Sequence, residues 1–461
     1  MQLAVWQDRA SAAVVMATSY VSLVYYTRTF SNTLESFLFA ALLRVVSCRF
    51  YNTKEMSNIP RAIMISMLIV VGVFNRPTFV VYAAVPYLWW LFSDGVNGVM
   101  IKVVDSMLTA VPLSIVLIIC DSVYFGHLDI NNVNAADLGD IMSVVASNLT
   151  VTPLNFVLYN TQLDNLADHG IHPRFTHFVV NMPLLFSVLS ISFFYDVFWW
   201  WMMAVGLRSW KLVSMYRRNL MLVMCCLVPV ILLSLFPHQE PRFLIPLLPI
   251  LAAKYARQIT SERLVAFFWI VANISGCLFY GCLHQGGVVP CLGHLQETQL
   301  TSVDRHVIFW HTYTAPQHLL LLPEQSSLTQ DPVNPGTTIL TSLEGNSIKD
   351  VIHHLIQINS SWSSQRREKP DVMIAATSSE HHHLVCVTAE AGIRLDLNQS
   401  FWPHLSTEHP PRMNDILCHL PTISCHNITA AADDDDDLCG KTLIERIHFL
   451  TSLNLYRVIF V

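Results

Sequence analysis

The stretch His238-Gln239-Glu240-Pro241-Arg242-Phe243 puts an imidazole, a carboxylate and a guanidinium side by side between two strongly apolar runs. Such groups can relay a proton, hold an anion or neutralise one another. A single ionisable side chain at the centre of a bilayer costs about 2.5–3.5 kcal/mol on insertion scales. Three together call for an interface, a water-filled cavity or a functional site. Pro241 disfavours helical backbone at Glu240, so the stretch predicts a break between helices. His238 and Glu240 then project from a loop and Arg242 opens the helix that follows. The bland alternative is two helix caps joined by a buried ion pair.

Three other polar islands lie hard against apolar sequence: "YYTRTFSNTLES" at 25–36, "NRPTF" at 75–79 and "DSVYFG" at 121–126. Each alone reads as interfacial capping. Ser31 or Asn32 caps a helix starting near Thr33, with Glu35 placed for a capping box. Taken together, Arg28, Glu35, Arg76, Asp121, His238, Glu240 and Arg242 gather at one set of helix ends. Guanidinium forks match phosphate oxygens, so this face predicts an anionic partner with acid–base groups beside it. No P-loop, dinucleotide fingerprint or nucleophile elbow appears. No metal site is predicted: the contiguous His381-His382-His383 and the Cys418-His419 and Cys425-His426 pairs lack convergent ligand spacing. Asp433–Asp437 reads as a solvated loop.

The elements that must position these groups follow from composition. Of 461 residues, 53% are hydrophobic and only 13% charged, where a soluble protein carries about a quarter charged. Mean hydropathy is +0.44. The apolar surplus ends near residue 283, which predicts a membrane domain over 1–283 and a water-facing C-terminal region over 284–461. Met1 to Ala13 shows no cleavable signal pattern. Apolar segments near 10–26, 32–48, 62–75, 79–93, 104–122, 176–206, 219–236, 243–256 and 264–283 predict about nine spans. The sixth is long enough to combine an interfacial stretch with a span. Alternate connections carry the basic residues (Arg44, Arg49, Lys54, Arg61; Lys102; Arg208, Lys211, Arg217, Arg218; Arg257, Arg263), which places them in the cytosol. The polar islands, the 123–175 loop and the C-terminal region then face the lumen. Glycosylation sequons at Asn148, Asn359, Asn398 and Asn427 all fall on that side. Cys291, Cys386, Cys418, Cys425 and Cys439 lie where disulfides are permitted, in an odd number and without deducible connectivity. Short strands are expected in the C-terminal region at "PDVMIAATS" and "HHLVCVTAEA".

"HQEPRFLIPLLP" resembles the His-x-Glu-x-Arg-Phe signature of the dolichyl-phosphate-mannose-dependent mannosyltransferases of the endoplasmic reticulum, glycosyltransferase family 22. "RTFSNTLES", "NRPTF", "VTPLNFVLYN" at 151–160, "HGIHPRFTHFVVNMPLLF" at 169–186, "HQGGVVP" at 284–290 and "FWPHLSTEHPP" at 401–411 extend the likeness from about residue 15 to beyond 410. The likeness is strongest to the branch that adds the fourth mannose to the glycosylphosphatidylinositol (GPI) precursor. The resemblance implies an all-α polytopic bundle of the GT-C type with a mixed α/β lumenal region. It implies mannose transfer from dolichyl phosphate mannose to the third mannose of the GPI precursor, forming an α-1,2 link with inversion in the endoplasmic reticulum membrane. A lipid-linked sugar donor and a glycolipid acceptor are the implied partners. No cofactor and no nucleic acid are implied. His238, Glu240, Arg242, Arg28 and Arg76 are then expected to hold the donor phosphate, with Asn155 and Asn160 shaping the acceptor site.

Inversion calls for a carboxylate that takes the proton of the attacking hydroxyl. Relatives carry an acidic pair in a His-Pro-Asp-Glu-like stretch, in a first lumenal loop after an additional N-terminal span. This sequence opens at "MQLAVWQDRASAAVVM", close to the later helix, and the expectation is of an N-terminally incomplete transferase. Asp121 and Glu35 are the remaining catalytic candidates. The alternatives are a sibling enzyme adding the third GPI mannose or an N-glycan mannose, or a lipid-linked-sugar-binding membrane protein without catalysis.

Overall fold

The computed structural model describes residues 2–47, 58–128, 149–161, 172–206, 217–298, 303–320, 338–365, 370–407, 409–411 and 442–460. The chain divides into two compact units, Met1–Ser275 and Gly276–Val461.

The first unit is helical: α1 (Gln2–Thr18), α2 (Ser31–Ser47), α3 (Asn58–Asn75), α4 (Phe79–Leu91), α5 (Val96–Tyr124), α6 (Thr152–Thr161), α7 (Met182–Phe186), α8 (Val188–Ala204), α9 (Arg217–Leu233), α10 (Leu248–Ser261) and α11 (Arg263–Leu278). Among the described residues, two helical stretches are by themselves long and apolar enough to cross a membrane, Gly98–Tyr124 and Arg263–Leu283. Their side chains are mostly uncovered by protein: Leu108 is 71% exposed and Leu264 68%. Large apolar surface of this extent requires an apolar solvent or partner.

Among the described residues, the expected nine spans are not confirmed as long helices; Ile59–Asn75, His177–Phe186, Val188–Ala204 and Leu220–Leu233 are apolar but shorter. The reason is local. Asn75 to Thr78, with Pro77, separates α3 from α4, because a residue before proline avoids helical backbone. Ser187, at φ 48°, divides the long sixth segment into α7 and α8. Pro241–Leu247 forms a 3₁₀ turn that feeds α10. Where α3 gives way to α4, Gly72 is required, since a Cβ there would lie 2.1 Å from the Phe79 ring.

The second unit holds a five-stranded sheet ordered β2-β1-β3-β5-β4, made of β1 (Arg305–Trp310), β2 (Thr338–Ser342), β3 (Asp371–Thr377), β4 (Ile393–Phe401) and β5 (Leu453–Phe460). β1 is parallel to β2 and β3, while β5 is antiparallel to β3 and β4. Alternation sends Val307 and Phe309 to the face covered by α12 (Val288–Glu297), and Ile308 and Trp310 to the face covered by α13 (Ile348–Gln365) and α14 (His381–Glu390). Both faces of the sheet are therefore core. "PDVMIAATS" contains β3 as expected, but "HHLVCVTAEA" is a correction: it lies in helix α14. Its buried residues, His381, Leu384 and Thr388, recur at helical spacing, a period that outweighs the strand propensity of the valines. "HQGGVVP" and "FWPHLSTEHPP" meet: Gln285 donates to the Leu405 carbonyl at 3.1 Å. A Cβ on Gly286 would stand 2.5 Å from the Pro403 oxygen and 2.1 Å from that of Cys282. Cys291 is a free buried thiol, whereas Cys386 is disulfide-bonded.

Candidate active site

Two polar islands form one buried network. Glu35, in the second turn of α2, is wholly buried. Thr78 donates to its Oε1 at 2.9 Å and Asn32 to its Oε2 at 3.3 Å. Arg76 Nε lies 4.0 Å from the same Oε2. The Arg76 guanidinium also donates to Ser31 Oγ at 3.1 Å and Asn32 Oδ1 at 3.3 Å. Helix α2 begins at Ser31, and Glu35 reaches Thr78 and Arg76 on another segment, so the capping-box expectation is replaced by a tertiary bond.

The third island docks on the first two. Arg76 lies over the Phe243 ring at 5.4 Å and Arg242 over Phe30 at 5.9 Å. The Tyr82 hydroxyl donates to the Phe243 carbonyl and Tyr26 to that of Ile245. Glu240 has extended backbone, φ −87° and ψ 146°, the break that Pro241 predicts. Its Oε1 is 2.7 Å from His238 Nε2 and accepts from Arg242 Nη2 at 2.8 Å. Arg242 Nε contacts the other oxygen. Burial pushes the Glu240 carboxyl up, but the His238 hydrogen bond and the Arg242 charge outweigh it and hold the group below its ordinary value. Glu240 is therefore a carboxylate that orients His238 and Arg242.

Sequence reading missed what lies beneath. Gln239 is 1% exposed. Its Oε1 accepts from the His177 backbone N–H at 3.0 Å, and its Nε2 donates to the carbonyls of Ser234 and Phe236 at 3.1 Å each. The π-helical turn His177–Asn181 packs there, and Asn181 Nδ2 donates to the Gln239 carbonyl at 3.3 Å and to His177 Nδ1 at 2.9 Å. That arrangement leaves the proton on His177 Nε2, buried without a partner. His172 takes the backbone N–H of Gln239 on its Nδ1 at 3.4 Å. The available signal was the motif "HGIHPRFTHFVVN" itself, dense in histidine beside apolar sequence.

The other expected site residues are placed apart or at the edge. Arg28 is exposed in the turn before α2. Asp121 binds Thr152 Oγ1 at 2.5 Å, and its neighbour Ser122 takes the Thr150 N–H at 2.8 Å. Among the described residues no contact joins Asp121 to the cluster; it anchors the start of α6. Asn155 is exposed on α6, and Asn160 donates to the Phe156 carbonyl of its own helix at 2.8 Å. Of the sequons, Asn359 is half-buried on α13 and Asn398 exposed on β4, while Asn148 and Asn427 lie outside the described residues.

Among the described residues, Arg76 lies beside Glu35 and Arg242 beside Glu240. Two guanidinium forks at one site suit an anion with several oxygens. Residues 7–322, which contain every group of this cluster, match the Alg9-like mannosyltransferase family. The chain belongs to that family. Relatives of the Alg9-like chain include human "GPI alpha-1,2-mannosyltransferase 4", 36% identical over 68% of this chain and 56% of its own length. Drosophila melanogaster "GPI mannosyltransferase 4" is 27% identical over 94% of this chain and 72% of its own length. The Aspergillus oryzae protein of the same name is 32% identical over 73% and 61%. The chain thus spans little more than half the length of the human relative. No solved structure matches it.

Proposed function

We propose that the cluster of Arg76, His238, Glu240 and Arg242 holds the phosphate of dolichyl phosphate mannose. The protein then transfers the mannose to the third mannose of a GPI precursor in an α-1,2 link. The observation that carries this reading is the convergence of three separated polar islands into one partly buried site holding two guanidiniums and an imidazole, within a chain of the mannosyltransferase family. The attacking sugar hydroxyl displaces dolichyl phosphate from the anomeric carbon, and the new bond forms opposite the one that breaks. Negative charge gathers on the leaving phosphate, and Arg242 and Arg76 lie where guanidiniums stabilise it. Glu240 fixes Arg242 and His238, and buried Glu35 fixes Arg76. His177 Nε2–H offers a further donor at the same face. In this reading the shorter, interrupted helices also cross the bilayer, as in a GT-C bundle of about nine spans. The site and the C-terminal unit face the lumen of the endoplasmic reticulum, and α6 with Asn155 and Asn160 borders the acceptor.

The engagement of Glu35 with Arg76, of Glu240 with Arg242 and of Asp121 with Thr152 favours one competing reading, binding of lipid-linked sugar without transfer. Incubating the purified protein with radiolabelled dolichyl phosphate mannose and synthetic GPI glycolipids bearing two or three mannoses separates the possibilities. The proposal expects label on the three-mannose acceptor, released by an α-1,2-mannosidase. Transfer only to the two-mannose acceptor would assign the sibling activity. Binding without transfer to either would leave a carrier.

A further inference from the structure

We propose that the C-terminal unit carries a site for a divalent cation of the zinc class, with His311, Glu380 and His409 as its ligands. Donor atoms of these half-buried residues all lie within 4.8 Å of one another. His311 and His409 stack with ring centroids 3.5 Å apart. His409 Nδ1 is 3.5 Å from Glu380 Oε1. Two imidazoles and one carboxylate form a donor set of borderline softness that matches zinc with one position left open.

The sheet places the cluster where ligands collect. His311 follows the last residue of β1, and Glu380 ends the short turn that follows β3. Those two strands are parallel neighbours. β2 lies on the other side of β1, so the chain runs outward from β1 in one direction and returns to its opposite flank through α13. The gap between β1 and β3 is therefore a topological switch point. Open α/β sheets bind ligands at such points, beyond the carboxyl ends of the strands. His409 comes from the "FWPHLSTEHPP" segment that follows β4.

Two details point to a ligand rather than to packing. His311 is held in left-handed backbone, φ 55°, a conformation that costs a non-glycine residue energy and clusters at functional positions. Its Nδ1 is buried with no hydrogen-bond partner. In the tautomer that carries its proton on Nε2, that nitrogen keeps an unused lone pair, as a metal ligand requires. His383 Nδ1 lies 3.4 Å from the second Glu380 oxygen, the orienting place that outer partners take around a metal-bound carboxylate. Zinc ligands stand about 2.0–2.2 Å from the ion, so binding draws the three side chains inward. Contiguity of His381, His382 and His383 plays no part: His381 turns to the Tyr456 hydroxyl at 2.7 Å.

The test is a zinc chloride titration of the untagged full chain in detergent, after chelator treatment, followed by calorimetry. We expect a tight equivalent that His311→Ala, Glu380→Gln and His409→Ala each weaken by at least about 10-fold, while His353→Ala on α13 leaves it unchanged. An isotherm shared by wild type and the triple variant would overturn the site. Should the variants fail to fold, cobalt(II) added to the wild type decides. Intense visible bands of four-coordinate cobalt support the site, and the weak spectrum of a hydrated octahedral ion contradicts it.

Discussion

Arg76 Nε stands 4.0 Å from Glu35 Oε2, and the Glu35 side chain is only 1% exposed. The pair ties the segment before α4 to the first turns of α2, and the aromatic ring of Phe243 closes over the guanidinium. A carboxylate this deep depends on its cation. Arg76→Ala leaves the charge buried and should destabilise the first unit by about 3–5 kcal/mol. Arg76→Lys should recover only part of this, because one ammonium cannot replace the fork to Ser31 and Asn32. Equilibrium unfolding in mixed micelles measures both, and wild-type stability in Arg76→Ala would contradict the network.

Gln239 should prove as necessary as its charged neighbours. Gln239→Leu strands the His177 N–H and the carbonyls of Ser234 and Phe236 in the interior, at about 1–3 kcal/mol for each group left unsatisfied. Gln239→Glu keeps the shape but turns an oxygen toward the carbonyls of Ser234 and Phe236, and is expected to be worse. Thermal melts of the two variants should rank wild type, Leu, Glu in falling order.

Charged islands in apolar sequence are legible because burying them is costly, and that is why the His238–Arg242, Arg76 and Glu35 positions stood out. Their meeting was not legible. Thr78 and Glu35 are 43 residues apart, and nothing local records which helix end will face which. Gln239 escaped because an uncharged amide between two ionisable residues gives no compositional signal, although a buried amide must find partners. Asp121 read as one more member of the same set, yet Thr152 claims it. The lengths of the helices within the apolar segments were not legible, because apolar runs do not reveal where a proline, a π-turn or a left-handed serine interrupts them. In the C-terminal unit, alternating valines in "HHLVCVTAEA" imitated a strand.

Acid should act on the clamp at the carboxylate end. The folded Glu240 carboxyl lies below its ordinary range, so its contribution to stability is complete above the unfolded value of about 4.3. It is lost as pH falls through the lower folded value. Wild-type stability should therefore fall more steeply than that of Glu240→Gln below about pH 4.3. Parallel acid melts for the two proteins would remove Glu240 from the clamp.

A pair of glycine substitutions tests the docking of "HQGGVVP" on "FWPHLSTEHPP". Gly286→Ala places a methyl 2.1 Å from one backbone oxygen and 2.5 Å from another, and should cost at least about 1–3 kcal/mol, the penalty of overpacking. Gly293→Ala meets nothing within 4 Å and lies in helix α12, where alanine is favoured by about 1 kcal/mol. Opposite shifts in melting temperature are the expected result.

The central claim is that this cluster grips a lipid phosphate, and equilibrium binding of short-chain dolichyl phosphate to the full chain in nanodiscs tests it most directly. Wild type should bind saturably, Arg242→Ala at least about tenfold more weakly, a loss of about 1.4 kcal/mol, and the matching phosphate-free dolichol should not compete. Equal affinity in wild type and Arg242→Ala, or full competition by the phosphate-free alcohol, would contradict the account.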